Sequence, residues 1–167
     1  MISKGKKLPL VEVNKKGELT IDGASLAYKP WSTEQLTGKV RVINHFAGRS
    51  AAKELNEPLI TALKAAEFPK DAYQTTTIIN LKDSMWGTGA LVVAKAEAGK
   101  KAFPWSSVVI DEAGACLAAW GLAKENSAVS VVDENGDVLF FKDGALTSTE
   151  IAAVLELIET ALQAESA

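Results

Sequence analysis

The segment of residues 39–58 constrains the fold of this chain more than any other stretch. It begins with an apolar run over 40–46 that is long enough for a central strand. Ala47-Gly48-Arg49 ends the run, and from Ser50 the apolar residues recur every fourth position, as on one face of a helix. The pattern predicts a strand, a tight turn and a helix N-terminus, which is where α/β proteins often place catalytic or anion-binding groups.

Further strands and helices are predicted on both sides of this segment. Alternating apolar residues around a turn at 14–17 predict an N-terminal β-hairpin over 8–21, and Asp22-Gly23 predicts a second turn. The helix that begins at Ser50 is expected to reach Ala66 with a kink, because Pro58 removes one of its hydrogen bonds. The other predicted strands are 25–28, 73–81, 106–111, 127–132 and 137–141, and the other predicted helices are 89–101 and 116–120.

The last helix has the most regular pattern of the chain. Thr147-Ser-Thr-Glu150 is a capping box, in which the two end residues are expected to bind each other's backbone N–H groups. Apolar residues then follow at i, i+3, i+4, i+7, i+10 and i+11 from Ile151. The length of 167 residues and the order of elements predict one α/β domain over 1–167, with an N-terminal hairpin and entry segment at 8–38 and a core at 39–164.

Composition excludes several classes of function. The net charge of −3, with no basic stripe and no helix-turn-helix pattern, argues against nucleic-acid binding. The single cysteine, Cys116, excludes an internal disulfide and a multi-cysteine metal site. We therefore expect neither a metal nor a cofactor.

The sequence also bears on location. No apolar run approaches the roughly 18 residues that a membrane span needs. Residues 1–7, Met-Ile-Ser-Lys-Gly-Lys-Lys, lack the apolar stretch of a signal peptide, which on its own favours the cytoplasm. An exported chain whose signal peptide had been removed would begin in the same way.

Residues 43–47, Ile-Asn-His-Phe-Ala, resemble the strand that enters the active site of thioredoxin-like reductases. On that pattern Pro58 matches the proline that kinks their first helix, and Ser50 and Lys53 occupy the two cysteine positions of Cys-x-x-Cys. Ser127 falls where the superfamily has a cis-proline that faces the active site and pairs with substrate backbone. We expect a trans bond there, since a cis bond before a serine costs about 2.5–4 kcal/mol. The resemblance implies a thioredoxin-like three-layer sandwich, with an N-terminal β-hairpin extension and a C-terminal amphipathic helix, that lacks dithiol chemistry.

A narrower resemblance covers nearly the whole chain. Its motifs are His45-Phe-Ala-Gly-Arg-Ser-Ala-Ala-Lys-Glu54, Tyr73-Gln-Thr-Thr-Thr-Ile-Ile-Asn80, Phe103-Pro-Trp-Ser106 and Lys142-Asp-Gly-Ala-Leu146. Together they resemble the YtfJ family of small bacterial proteins, which are usually made with a signal peptide. The resemblance implies a thioredoxin-like fold and a periplasmic location, and it implies no particular activity.

The turn at residues 49–53 is the candidate functional site. A serine hydroxyl cannot cycle between oxidation states, so Ser50 excludes disulfide exchange at this position. In the purely structural interpretation, Ser50 is the N-cap of the helix and Lys53 is a solvated residue. Alternatively, Arg49, Ser50 and Lys53, with Ser127 nearby, could bind a small anion at the helix N-terminus. Ser50 could also be a nucleophile activated by Lys53, in an enzyme with an anionic or thiol co-substrate.

Three other residues have distinctive chemistry. His45 is the only histidine, so any Ser-His or Cys-His pair must use it, but its place in the central strand favours a buried core residue. Cys116 is expected to be a small buried residue. Trp86, in the loop Met85-Trp-Gly-Thr-Gly89, is expected to be partly exposed and suited to partner binding.

The sequence thus favours a non-redox binding or interaction protein of the bacterial envelope over an enzyme. Its partner would be an envelope protein or a small anionic ligand, bound by Arg49, Ser50, Lys53, Ser127 or Trp86, and its oligomeric state is not predicted. The two alternatives make different geometric demands. An enzyme needs Ser50 within hydrogen-bond reach of Lys53 or His45 beside a cavity, whereas a binding protein needs only an exposed surface.

Overall fold

Seven strands of the described residues form one sheet. The structure is a computed structural model that describes residues 1–166, so residue 167 of the predicted domain lies outside it. The strands are β1 (Glu12–Asp22), β2 (Ser25–Ser32), β3 (Val40–Ala47), β4 (Tyr73–Asn80), β5 (Ser107–Asp111), β6 (Ser127–Val132) and β7 (Val138–Asp143). The helices are α1 (Ser50–Glu54), α2 (Glu57–Ala66), α3 (Gly89–Ala102), α4 (Ala115–Trp120) and α5 (Ser148–Ser166), with short 3-10 turns at 33–35 and 81–83.

The order of the strands brings the functional segments to one side of the sheet. It is β2-β1-β5-β4-β3-β6-β7, in which β3, β4 and β5 are parallel and the other neighbouring pairs are antiparallel. The carboxyl ends of β3, β4 and β5 therefore meet the beginning of β6 at what we call the carboxyl edge. Ala47 lies opposite Asn80 there, and Asn80 lies opposite Asp111. The loops that lead into β3, β4 and β5 form the opposite side, the amino edge.

Helices cover both faces of the sheet. Consecutive residues of a strand point to opposite faces. Accordingly, Val42 belongs to the core cluster that contains α2 and α5, whereas Ile43 belongs to the cluster that contains α4. Val154 and Ile158, on the apolar stripe of α5, are completely buried, and each contributes about 1.5–3 kcal/mol relative to an exposed position. The predicted α/β sandwich is confirmed.

The N-terminal hairpin differs from the prediction. Residues 14–17, predicted as its turn, lie inside the long strand β1, and the turn is formed by residues 23–24 before β2. The pairing register shifts between Val13 and Glu18, so the polar segment between them forms a β-bulge. Gly17 has a φ of +88°, and a Cβ there would lie 2.3 Å from the backbone oxygen of Lys29. Bulges and hairpin turns both need residues that tolerate positive φ, which is why the sequence pattern was ambiguous.

The helix predicted from Ser50 to Ala66 is two helices. α1 ends at Glu54 and α2 begins at Glu57, with Pro58 in the first turn of α2. A proline in a first turn loses no intrahelical hydrogen bond, so the helix restarts at Pro58 instead of bending through it. The interruption turns Asn56 into the core, where it is 2% exposed.

The prediction that Ser50 caps the first helix is wrong. Arg49 holds the N-cap position in an extended conformation, and Ser50 is already the first helical residue. The Arg49 side chain makes no capping hydrogen bond to α1. An N-cap hydroxyl reaches the free N–H groups from a non-helical residue, and Ser50 is one position too late for that geometry.

The capping box of α5 is confirmed. Thr147 N donates to Glu150 Oε1 at 2.9 Å, and Glu150 N donates to Thr147 Oγ1 at 3.2 Å. The predicted elements over 73–141 agree with the observed ones to within one or two residues at each end, which is the usual uncertainty of boundaries. Within residues 1–166, no helix combines the length and the apolar character that crossing a membrane requires.

Candidate functional site

Ser50 and Lys53 lie on the surface of α1 and do not form a catalytic pair. Both residues are exposed, and neither side chain has a hydrogen bond or ion pair with another described residue. Two open cavities lie elsewhere, one of about 460 Å³ between α3 and β1, and one beside residues 33–37. The structure therefore does not meet the geometric demand of the serine-enzyme alternative.

Arg49 is bound to the protein's own carboxylates. Its Nε donates to the backbone oxygen of Asp83 at 2.8 Å, and its Nη2 lies 3.1 Å from Glu125 Oε1 and 3.5 Å from Asp83 Oδ1. The Asp83 carboxylate also accepts the backbone N–H of Glu125. These three residues, which we call the Arg49 clasp, link the turn after β3, the 3-10 turn after β4 and the loop before β6. The clasp neutralises the cation on which the anion-binding hypothesis depends.

The loop before β6 is also held from the other side. Asp143, at the end of β7, accepts hydrogen bonds from the backbone N–H of Ala123 at 2.8 Å and from Asn126 Nδ2 at 2.9 Å. The backbone oxygen of Asn126 accepts the N–H of Ala47 at 3.0 Å. Polar groups of this loop that face the carboxyl edge are thus satisfied within the protein.

Ser127 is buried and engaged, so it is not the accessible ligand-binding residue that the sequence suggested. It is 1% exposed, and the peptide bond before it is trans, as expected for a serine. Its Oγ accepts a hydrogen bond from Asn56 Nδ2 at 2.8 Å, and its backbone oxygen accepts the N–H of Gly144 at 2.7 Å. Asn56 also donates to the backbone oxygen of Gly144 and accepts the N–H of Leu146. Intramolecular bonds therefore occupy the position that contacts substrate in dithiol reductases.

His45 is the buried core histidine that the sequence favoured. It is 3% exposed, and its ring lies 6.2 Å from that of Trp120 in an edge-on contact. Burial lowers the pKa of His45 from 6.5 to about 4, against the attraction of Asp111, Asp143 and Asp83. The imidazole is neutral at pH 7, and its Nε2 has no hydrogen-bond partner among the described residues. A buried group of this kind does not act as a base for a hydroxyl on the surface of α1.

Cys116 is an inert thiol at the start of α4. The Asp111 carboxylate accepts the backbone N–H groups of Ala115 at 3.0 Å and of Cys116 at 2.8 Å, and so satisfies the first turn of this helix. Burial, together with the nearby Asp111, raises the pKa of the completely buried Cys116 thiol. A protonated, inaccessible thiol is not a nucleophile. Across residues 1–166, no group of three His, Cys, Asp or Glu residues is arranged to hold a metal ion.

Sequence reasoning missed several polar residues of the carboxyl edge. Asn80 is 2% exposed, and its Oδ1, like that of Asn44, has no partner among the described residues. Asn80 and Asp111 each end a parallel strand, so their meeting at one edge could have been anticipated. Asp83 and Glu125 carry no such signal, because two loops that are distant in the chain bring them together.

Trp86 is the sequence-predicted residue that is fully accessible. It is 100% exposed, and Met85 and Leu91 in the same segment are each 58% exposed. The loop has a defined turn, in which Thr88 donates to the backbone oxygen of Met85 through both its N–H and its hydroxyl. Single exposed apolar residues are common, but three in one ordered segment form a candidate binding surface. We call residues 85–91 the Trp86 segment.

Solved structures of thioredoxin-like proteins share this fold. A thiol-disulfide isomerase from Corynebacterium glutamicum aligns with a TM-score of 0.59 and 19% identity, over 90% of this chain and 96% of that chain. The exposed lipoprotein thioredoxin of Streptococcus pneumoniae aligns with a TM-score of 0.53 and 18% identity, over 86% and 97% of the two chains. At this identity the comparison shows the fold alone, and the fold is thioredoxin-like.

Sequence comparison finds closer relatives. The uncharacterized protein YtfJ of Escherichia coli is 45% identical over 159 residues, which are 95% of this chain and 86% of the relative. A protein of Haemophilus influenzae is 44% identical over 151 residues, which are 90% and 82% of the two chains. The model of the family described as bacterial protein of unknown function (YtfJ_HI0045) matches residues 2–161. The chain therefore belongs to the YtfJ family.

Proposed function

We propose that this protein is a non-redox binding protein of the bacterial cell envelope, which recognises a partner protein through the Trp86 segment. One observation carries the proposal. At the carboxyl edge the two cysteines of dithiol reductases are absent, and the side chains of Ser50 and Lys53 are unpaired on the surface. Arg49 and Ser127 are bonded within the protein. Trp86 beside them is completely exposed.

The absence of redox chemistry rests on three positions. Ser50 and Lys53 stand where dithiol reductases have their two cysteines, and neither side chain can accept or release electrons. Cys116, the only thiol, is completely buried. Disulfide exchange needs an accessible thiolate, which this chain does not provide.

The internal bonding of the carboxyl edge argues for a partner bound outside it. A ligand at Arg49 would have to break the Arg49 clasp, and a ligand at the Ser127 hydroxyl would have to break its bond to Asn56. For the buried Asn56 and Ser127 side chains, each group left unpaired costs about 1–3 kcal/mol, whereas the partly exposed ion pairs of the clasp are weaker. A small anion at Arg49 would face the same competition from Asp83 and Glu125, so it is the weaker candidate ligand.

The Trp86 segment has the properties of a recognition surface. Tryptophan is enriched among residues that dominate binding energy, because its ring buries a large apolar area and its N–H can still donate a hydrogen bond. Burying a side chain of this size contributes about 1.5–3 kcal/mol. Met85 adds an unbranched thioether that adapts to the shape of a partner.

The envelope location is supported by similarity. The resemblance to the YtfJ family implies a periplasmic location, and one solved structure with this fold is that of an exposed lipoprotein thioredoxin. A thioredoxin-like domain in that compartment meets many folded and unfolded chains, which suits a binding role.

Affinity capture with a matched pair of variants tests this function. Detergent-solubilised envelope extract is passed over immobilised wild type, Trp86→Ala and Trp105→Ala, the last of which removes an exposed tryptophan on the opposite edge. We expect a protein that wild type and Trp105→Ala retain and that Trp86→Ala loses. Equal retention by all three forms, or no retained protein, would contradict the proposal.

A further inference from the structure

The open cavity of about 460 Å³ between α3 and β1 has an apolar wall. α3 lines it with the small residues Gly89, Ala90 and Ala94, and Leu81 and Val93 complete the wall. Cavities of about 300–1,000 Å³ with mostly apolar walls and a few polar groups are typical sites for small molecules. The cavity adjoins the Trp86 segment at its first two residues of α3, but the proposed function does not use it.

Charges of both signs line this cavity. Its ionisable side chains are Lys16 from the bulge of β1, Glu97 from α3 and Glu112 from the turn after β5. Within residues 1–166 none of the three forms an ion pair, and the side chains of Lys16 and Glu112 have no hydrogen bond either. The cavity therefore offers one ammonium group and two carboxylates that the protein leaves without a partner of opposite charge.

Tyr28, on β2, orders two of these charged groups. Its hydroxyl donates to Glu97 Oε2 at 2.8 Å, and Lys16 Nζ lies 5.0 Å from the centroid of its ring. Burial, together with the bond to Glu97, raises the pKa of Tyr28, so the hydroxyl stays protonated and remains a donor. A contact with an aromatic face does not neutralise a cation, so Lys16 can still attract an anion.

The backbone of Lys16 is in an unusual conformation. Its φ is +65°, a left-handed value that residues with a side chain rarely adopt. Lys16 is held there in the bulge of β1, where it pairs with Asp111 of β5 and Gly17 follows it. Non-glycine residues in such conformations cluster at functional sites. The conformation therefore supports a role for Lys16 beyond the pairing of strands.

We propose that this cavity binds a small zwitterion of the amino-acid or short-peptide class that carries an apolar side chain. The carboxylate of the ligand pairs with Lys16, and its ammonium group pairs with Glu97 and Glu112. Hydrogen bonds between charged groups are stronger than those between neutral ones. The apolar side chain of the ligand packs on Leu81 and Val93, which removes apolar surface from water.

A ligand with both charges fits the cavity better than a ligand with one. A cation without a carboxylate would leave Lys16 unpaired and be repelled by it, and an anion without an ammonium group would be repelled by two carboxylates. The inference rests on Lys16, Glu97 and Glu112, none of which belongs to the Trp86 segment. It goes beyond the proposed function and can fail independently of it.

Titration of the full chain, followed by amide NMR, tests the inference with probes that share one apolar side chain. Leucine and the dipeptide leucyl-leucine carry both charges, N-acetyl-leucine carries only the carboxylate, and leucine amide carries only the ammonium group. We expect saturable shifts at residues 89–97 with leucine or the dipeptide, and an affinity lower by about tenfold or more for both single-charge analogues. The stronger of the two zwitterions shows whether the site takes a free amino acid or a peptide. The inference is overturned if neither zwitterion gives saturable shifts there up to about 50 mM, or if a single-charge analogue binds as tightly.

Charge-removing variants assign the two charges of the ligand. Lys16→Gln should weaken binding of the zwitterion without weakening that of leucine amide, and Glu112→Gln should weaken it without weakening that of N-acetyl-leucine. Lys15→Gln and Glu12→Gln remove exposed charges of β1 that do not line the cavity, and they should bind as wild type does, as should Trp86→Ala. Equal binding by the cavity variants and these controls would contradict the inference. The comparison of analogues on wild type needs no variant, so a folding defect cannot conceal the result.

Discussion

At the carboxyl edge Arg49, Asp83 and Glu125 bind one another, whereas at the amino edge Phe103 and Trp105 face solvent on a loop that Lys100 holds in place. At both edges a charged side chain bonds to groups of the protein, Arg49 to two carboxylates and Lys100 to two backbone oxygens. At the first, these contacts neutralise the arginine that lies beside the sheet end where dithiol reductases react. At the second, the hydrogen bonds of Lys100 hold a loop whose two aromatic rings are exposed.

The difference shows how one fold can keep its architecture while its side chains take different partners. The parallel strands still bring Asn80, Asp111 and the turn after β3 together. What has changed is the use of the side chains, because functional chemistry belongs to a site and not to a fold. Because Arg49 and Ser127 bond within the protein, the candidate binding surfaces are the Trp86 segment and the cavity between α3 and β1.

The largest effect on stability is expected for Asn56→Ala. The substitution removes hydrogen bonds to Ser127, Gly144 and Leu146 and leaves buried groups unpaired, so we expect a loss of about 3 kcal/mol in the free energy of unfolding. Asn14→Ala, at an exposed position of the bulge, is the matched control and should change stability by less than about 0.5 kcal/mol. Urea unfolding of both variants measures the difference. Equal stabilities would show that the Asn56 network does not hold the carboxyl edge closed.

Acidification should destabilise the protein through His45. The pKa of His45 is about 4 in the folded protein, below its ordinary value of 6.5. Between these values the unfolded chain binds a proton that the folded protein does not, so stability falls as the pH is lowered. The loss is expected to reach roughly 3 kcal/mol by pH 4. His45→Phe replaces the imidazole with a ring that cannot bind a proton, so the stability of this variant to urea should decline less between pH 6.5 and 4. An unchanged slope would mean that His45 is not held neutral by burial.

Two alanine substitutions at helix starts compare a side chain that caps its helix with one that has no partner. Thr147→Ala removes the cap of α5 and should cost about 1 kcal/mol. Ser50→Ala removes a hydroxyl without a partner at the start of α1 and should change stability by less than about 0.5 kcal/mol. Thermal unfolding compares the two, and an equal cost at Ser50 would restore its assignment as the N-cap.

The smallest effect is expected from added anions. Arg49 is already paired with Asp83 and Glu125. Titration with phosphate or glutathione should therefore leave the amide NMR signals of residues 48–53 unchanged. The titration runs to tens of millimolar of the anion, a concentration on the order of the weakest dissociation constant expected for such a site. Saturable shifts in wild type that disappear in Arg49→Ala would establish the anion site and show that the clasp opens.

The fold was predictable because its signals are local and repeated. The i, i+3, i+4, i+7 pattern of α5 and the β-branched run of β4 each specify an element, and the order of the elements predicts the α/β class. The bulge in β1 and the break before Pro58 were missed because the same residues serve turns, bulges and helix starts. Pairing with β2 and the packing of Asn56 decide which of these structures forms, and a local sequence pattern contains neither.

The candidate site was predicted only in part. The sequence located the turn at Arg49, the exposed Trp86 and the buried His45 and Cys116. It did not locate Asp83 and Glu125, which lie 34 and 76 positions beyond Arg49 (83 − 49 and 125 − 49) and meet it only in the folded chain. Ion pairs between residues far apart in the chain produce no periodic pattern in the sequence. Only the structure therefore shows that Arg49 is paired with Asp83 and Glu125.

Cysteines placed at positions 50 and 53 test whether the carboxyl edge can support disulfide exchange. Ser50→Cys and Lys53→Cys are combined in a Cys116→Ser background and assayed for reduction of insulin disulfides, with wild type alongside and a maleimide reaction to verify that both new thiols are accessible. Because Ser127, bonded to Asn56, stands where the reductases have the cis-proline that pairs with substrate backbone, and Arg49 remains paired with Asp83 and Glu125, we expect neither protein to reduce insulin above background. Catalytic turnover by the double-cysteine variant would show that the carboxyl edge is open and that only its thiols had been lost.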